Sequence, residues 1–156
     1  MDADTRDALR ALLHEQRVAA LGTLHQGEPA VSMVPYARSP DAPGLLIHVS
    51  ALASHTRDMQ AHPRVSLMVM ATIGPDDMVQ ALPRATLQGV AQPLADDTAA
   101  YARGKAAYLA RFPQAEMMFD LGDFSLWCVT PDQLRFVAGF GRAHNASEAD
   151  LAAVLG

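Results

Sequence analysis

The sequence predicts an antiparallel β-barrel of six to seven short strands, with helices only at the two ends and in two crossovers. Short apolar runs follow one another, separated by turn residues such as Gly, Pro and Asp. Long helical patterns do not alternate regularly with these runs, which argues against a doubly wound parallel sheet. We therefore expect a mainly β, α+β fold built from hairpins.

The predicted strands are marked by apolar runs of five to seven residues. They cover 18–24, 30–36, 45–49, 65–70, 84–90, 123–129 and 133–137. A Gly-Pro turn at 25–29 joins the first two strands as a hairpin, and Pro35 lies near the end of the second. Residues 130–132, with Pro131, separate the last two strands. Met68 and Met70 are assigned to the core of the fourth strand.

The helical segments show apolar residues at helical spacing. They cover 5–17, part of 50–62, and 95–112, and a weakly helical tail follows Gly141. Asp4 or Thr5 can cap the first helix, and Pro63 stops the second. The 156 residues are long enough for one domain, 1–156, with a core of its own.

Composition excludes several classes of function. A net charge of −5 gives no general attraction to nucleic acid or an anionic membrane. Cys128 is the only cysteine, so neither an intrachain disulfide nor a cysteine metal cluster can form. The histidines have no metal-ligand spacing, and His25 is assigned to the surface. The charged start of the chain is not a secretory signal, so we expect a cytoplasmic protein that neither enters a membrane nor holds a metal.

The densest polar cluster follows the third strand and opens a helix. Ser54 and Thr56 offer hydroxyl groups and Arg57 a cation, with His55 beside them. Together with the free N–H groups of a helix start, these donors suit an organic phosphate. The alternative is that Ser54 simply caps the helix and Arg57 is solvated. His48 lies in the preceding strand, where its side chain either takes part in a site or simply faces solvent or the rim of the sheet.

A second unusual run lies near the end of the chain. Two glycines flank Phe140 and allow a tight turn or a close backbone approach. Arg142 and His144 follow, two residues apart, and on an extended chain they point to the same side. They are candidates for holding an anionic ligand. The alternative is a basic turn before a frayed C-terminus.

The segments GLLIHVSALASHTRDM (44–59) and HPRVSL (62–67) carry a family resemblance. Together with the strands at 18–24 and 31–36, they resemble the FMN-binding split β-barrel proteins related to pyridoxamine 5'-phosphate oxidase. Within that group the pattern is closest to haem-utilisation proteins of the HugZ type. The resemblance covers roughly 9–144 and implies a split β-barrel.

The resemblance implies FMN as cofactor and a homodimer with flavin sites at its interface. The flavin ring contacts would come from Ser32, Met33, Val34, Pro35, Tyr36, His48, Val49 and Ser50. The phosphate contacts would come from Ser54, His55, Thr56 and Arg57. Arg142 and His144 would act on substrate as the catalytic pair, facing the flavin of the partner subunit.

Departures from the oxidase argue against a vitamin B6 oxidase. Arg84 is followed by Ala85 where the oxidase has glutamine, Val137 stands where it has an aromatic residue, and no arginine follows His144. The haem-degrading branch uses a histidine in a C-terminal tail, and residues 145–156 contain none, which leaves His144 as the candidate.

Three functions are therefore compatible with the sequence. The main expectation is an FMN-dependent oxidoreductase acting on a small molecule, in which the protein positions the flavin and tunes it. The alternatives are a haem-binding or haem-degrading protein of the HugZ type and a non-catalytic flavin carrier or sensor.

Overall fold

Eight strands form one sheet in which every neighbouring pair is antiparallel. The computed structural model describes every residue, Met1–Gly156. The strands are β1 Val18–His25, β2 Glu28–Pro35, β3 Ala37–Arg38, β4 Leu45–Ser50, β5 Arg64–Met70, β6 Arg84–Pro93, β7 Phe124–Val137 and β8 Ala143–Asn145. Their order is β2-β1-β5-β6-β7-β4-β3, with β8 attached to β7, and β2 also contacts β4. The predicted antiparallel barrel is confirmed.

Five helices flank the sheet: α1 Ala3–Glu15, α2 Ser54–Ala61, α3 Ala99–Arg111, α4 Glu116–Phe119 and α5 Glu148–Leu155. α1 starts two residues earlier than predicted, because the Asp2 side chain accepts a hydrogen bond from the Thr5 N–H at 2.8 Å and caps the helix. The tail forms a defined helix rather than a frayed one, since Ser147 and Asp150 form a capping box. No helix has the length and apolarity needed to cross a bilayer.

The chain buries two apolar clusters. The larger has 24 residues inside the curled sheet, including Tyr36, Leu67 and Phe136. The smaller has six residues and lies between α3 and the opposite face of β4 and β7, where Leu46 and Leu126 meet Tyr108 of α3. Both faces of β4 and β7 are therefore covered.

The last two predicted strands are one strand, which corrects the break expected at 130–132. β7 runs through Pro131 because the ladder with β6 shifts register there. Gln88 pairs with Gln133 and Gly89 with Pro131, so Asp132 has no partner opposite it. A β-bulge is one of the few places where a strand tolerates proline.

Candidate functional site

A shallow apolar groove lies on the outer face of β1, β2 and β5. Its volume is about 550 Å³, and nine of its twelve lining residues are apolar. The lining comprises Gln16, Val18, Ala19, Ala20, Val31, Ser32, Met33, Met68, Met70, Ala71, Thr72 and Ile73. An exposed apolar surface of this kind is typical of a binding site.

Strand alternation explains how the groove arises. Leu67 and Val69 of β5 are fully buried in the core, so Met68 and Met70 between them point outward. The two methionines are 38% and 51% exposed, which corrects their assignment to the core. The sequence shows that this strand is apolar on both faces, but it does not show which face the chain leaves uncovered.

The floor of the groove follows from the register of the sheet. Ala20 of β1 pairs with Met33 of β2 on one side and with Met68 of β5 on the other. Directly paired residues share a face of the sheet, so the two methionine side chains stand on either side of a small alanine. Ser32 is half-buried, and its hydroxyl oxygen is enclosed without a hydrogen-bond partner.

The predicted flavin-contact residues of β2 divide between the groove and the core. Ser32 and Met33 line the groove, and Pro35 is half-buried at the strand end. Val34 and Tyr36 are buried in the main core. The Tyr36 hydroxyl donates a hydrogen bond to the Leu13 carbonyl at 2.9 Å, and burial raises the pKa of the phenol to about 12.

His48 lies away from the groove, beneath α3 and α4, which excludes the solvent-facing or rim position considered for it. Its ring stacks on Phe119 with 3.8 Å between centroids and 9° between planes. Tyr108 and Phe124 stand near the same ring. Burial, with a smaller contribution from the charge of Lys105, lowers the pKa of His48 to about 4. The imidazole is therefore a neutral member of an aromatic cluster at neutral pH.

The segment from Ser50 to Thr56 is held by hydrogen bonds within the chain. The Ser50 hydroxyl donates to Asp123 at 2.7 Å, and the Thr56 hydroxyl donates to the Ser50 carbonyl at 2.6 Å. Val49 is buried in the core. The Thr56 hydroxyl hydrogen is thus already committed and is not free for a phosphate.

The start of α2 keeps free donors. Its N-cap residue is Ala53, which provides no side-chain cap, so Ser54 does not cap the helix. Ser54 and Arg57 are exposed, and His55 is half-buried, with its pKa lowered mainly by that burial.

A hydrogen-bonded network missed by sequence reasoning ties α2 to β1. The buried Asp58 carboxylate accepts from the Thr23 hydroxyl at 3.0 Å and is 2.8 Å from Nδ1 of His25. Burial alone would raise the pKa of Asp58, but the hydrogen bonds from His25 and Thr23 outweigh it, and the pKa lies below its ordinary value. His25 is thus a structural partner as well as a surface residue. His25 and Asp58 are 33 positions apart in the sequence, which explains why local patterns gave no sign of their contact.

Arg142 and His144 lie at the β7–β8 hairpin, beside Asp2 at the start of α1. Gly141 turns the hairpin with φ of +71°, a conformation that favours glycine. His144 pairs with Phe136, whose side chain is in the core, so His144 faces the opposite side of the sheet from the groove. Arg142 is exposed, and Nε2 of His144 is enclosed without a partner.

The predicted site residues thus occupy four places within one copy of the chain. Ser32 and Met33 line the groove, with Pro35 at the end of the same strand; four residues belong to the core or to the aromatic cluster; Ser50 and the four residues 54–57 lie around the start of α2; and the last two lie at the hairpin. No three histidine, cysteine or carboxylate side chains come together as metal ligands.

Known proteins similar to this chain include two haem oxygenases. The chain is 35% identical over 140 residues to the chloroplastic non-canonical haem oxygenase HOZ of Arabidopsis thaliana. This match covers 88% of this chain and 41% of HOZ. It is 29% identical over 145 residues to the haem oxygenase HutZ of Vibrio cholerae, covering 92% of this chain and 81% of HutZ. The chain therefore spans less than half the length of HOZ.

Among solved structures, a haem-binding protein from Mycobacterium smegmatis matches with a TM-score of 0.84 and 28% identity. The match covers 98% of this chain and 62% of that protein. These relatives are named for haem, so the expectation of FMN as cofactor, and of a flavin-dependent oxidoreductase, is wrong. The haem alternative agrees with them better. The committed hydroxyl of Thr56 is in keeping with this correction.

The family assignment itself is confirmed. The pyridoxamine 5'-phosphate oxidase family pattern matches residues 5–138, which include β1 to β7 and the groove between β1, β2 and β5. Relatives of the HutZ kind agree with the HugZ-type branch suggested by the segments at 44–59 and 62–67. The chain belongs to the pyridoxamine 5'-phosphate oxidase family.

Proposed function

We propose that this protein binds haem in the apolar groove of β1, β2 and β5 and serves in haem degradation. The observation that carries the proposal is the groove, an exposed apolar face that the monomer leaves uncovered. The haem oxygenases HOZ and HutZ, to which the chain is similar, support haem as the ligand.

The groove has the chemistry that a porphyrin needs. Ala20 gives β1 a low outer surface on which a planar ring can lie. Val18 and Val31 supply apolar contacts, and about 550 Å³ is within the range of small-molecule sites.

We further propose that a second copy of the chain covers the groove, in a homodimer. An apolar face that stays in water costs free energy, and a stable homodimer interface commonly buries about 2,000 Å² or more. Arg142 and His144 enter the site in this proposal only from the second copy, because within one copy neither lines the groove and His144 faces the other side of the sheet. There Arg142 binds a carboxylate of haem, and His144, whose Nε2 is enclosed within its own copy, donates a proton or binds iron through Nδ1.

Haem is the substrate in this proposal, and its iron, with dioxygen and an external reductant, supplies the oxidising chemistry. The residues of the chain orient the ring, exclude water from its apolar part and hold its carboxylates. We place this work in the cytoplasm within one domain, 1–156. The single half-buried Cys128, without a disulfide partner, suits a reducing compartment.

A charge placed in the groove tests the proposal. Val31→Asp changes a residue that is 77% exposed, so the fold should tolerate it, while a carboxylate against the porphyrin should weaken haem binding about tenfold or more. Val79→Asp is the matched control, because Val79 is exposed outside the groove. The measurement is titration with haem followed by its Soret band. Unchanged affinity of the Val31→Asp variant would rule out the groove as the site.

Degradation is tested on the loaded protein. We expect ascorbate in air to bleach the Soret band and release iron to a ferrous chelator. Haem that stays intact under these conditions would reduce the proposal to binding alone. Light scattering at micromolar concentration tests the homodimer, and a monomeric mass with haem bound would contradict it.

A further inference from the structure

The groove contains methionine but no histidine, cysteine or tyrosine. Met33, Met68 and Met70 are the lining residues whose side chains carry a soft donor atom. All three are exposed in the monomer. A thioether is an established axial ligand of haem iron.

Two of these methionines stand where a ligand to the centre of the groove should stand. Met33 and Met68 both pair with Ala20, so one small residue separates them across the sheet. Neighbouring strands are about 4.8 Å apart, which places their Cα atoms roughly 10 Å from each other. Methionine has three flexible bonds, and each thioether can swing over the alanine. Met70 lies further along β5 and flanks the end of the groove that Ala71, Thr72 and Ile73 close.

We propose that a thioether of the Met33–Met68 pair is an axial ligand of haem bound in this groove. The inference rests on the proposed function, and it names the residues of this chain that meet the iron. The small size of Ala20 between them matters, because a larger side chain would hold the haem ring away from the sulfur atoms. Thioether ligation raises the reduction potential of haem iron, so the bound haem should be easier to reduce than one held by a histidine alone.

The alternative is that the methionines are apolar walls only. Leucine separates the two ideas, because it matches methionine in volume and apolarity but has no donor atom. Both positions are exposed, so Met33→Leu and Met68→Leu should leave the fold intact. Met78→Leu is the matched control, since Met78 is exposed outside the groove.

The experiment loads wild type, both single variants and the double variant with ferric haem. Stoichiometry is measured by the pyridine haemochrome method, axial ligation by magnetic circular dichroism, and the reduction potential by spectroelectrochemistry. We expect one haem per chain in every protein. The near-infrared band of thioether–ferric haem should be present in wild type and the Met78→Leu control. In the double variant this band should be absent, and the reduction potential of the bound haem should be lower than in wild type.

Three outcomes overturn the inference. The first is a double variant that keeps the wild-type spectrum and reduction potential. The second is a wild-type protein that binds haem without any thioether band. The third is loss of the band in the Met70→Leu variant alone. In each of these cases haem still binds and the proposed function stands. If wild type takes up no haem at any concentration tested, the proposed function itself fails and this inference fails with it.

Discussion

Replacing Tyr36 by phenylalanine separates a core role from a ligand role for a residue expected to contact a flavin. The ring is fully buried, and its hydroxyl donates to the Leu13 carbonyl at 2.9 Å. Phenylalanine keeps the ring and loses the donor. The Leu13 carbonyl retains a second donor, Nη2 of Arg111 at 3.3 Å, so it is not left without a partner. The loss should therefore be about 1 kcal/mol, the net value of an ordinary hydrogen bond, rather than the larger cost of an orphaned group.

The assay is urea unfolding followed by the fluorescence of Trp127, the single tryptophan, which is buried in the same core. In thermal unfolding followed by the same fluorescence, a loss of about 1 kcal/mol should lower the melting temperature of a chain of this size by roughly 2–4 °C. Haem affinity should stay within about threefold of wild type, because Tyr36 does not line the groove. A fall in affinity of about tenfold or more with unchanged stability would refute the reasoning and return Tyr36 to the binding site.

Three further predictions follow from other parts of the fold. Gly89→Ala should destabilise the protein by about 3 kcal/mol in urea unfolding, because a Cβ there would collide with the Thr130 carbonyl, whereas Gly122→Ala, in open space, should change stability by less than about 0.5 kcal/mol. The folded state holds the pKa of His48 near 4, below its ordinary 6.5, so the unfolded chain binds the extra proton between these values and stability should fall as the pH falls from 6.5 to 4. His48→Phe should flatten this part of the profile, and an unchanged slope would contradict the assignment. Arg142→Ala should weaken haem binding about tenfold in a haem titration while light scattering shows the same mass, and equal affinity would remove Arg142 from the site.

Local patterns were sufficient for the main elements of the fold. Five longer strands (β1, β2, β4, β5 and β6) and the helix after β4 follow from apolar runs and turn residues, and their bounds differ from the prediction by a few residues. β3 and β8 were missed because strands of two and three residues show no periodicity. The break at Pro131 was predicted because proline normally interrupts a ladder, and the bulge opposite Gly89 that permits it depends on a partner strand.

The site was less predictable, because it depends on which face of each strand is covered. Ser32 and Met33 were predicted to contact a flavin; both line the groove, and their part in binding a ligand stays a prediction. Met68 was placed in the core because nothing local distinguishes an apolar residue facing inward from one facing an uncovered groove. His48 looked available in the sequence, but α3 and α4, more than 50 positions later, enclose it.

The pairing of β4 with β7 has a consequence for how the molecule unfolds. Alternate residues of these two strands serve different clusters, with Leu45 and Ile47 in the main core and Leu46 in the smaller one beneath α3. Neither cluster can open fully without disturbing the same hydrogen-bonded ladder. The two clusters should therefore behave as one cooperative unit, and amide protons of β4 and β7 should exchange only through global unfolding, whichever cluster their side chains join.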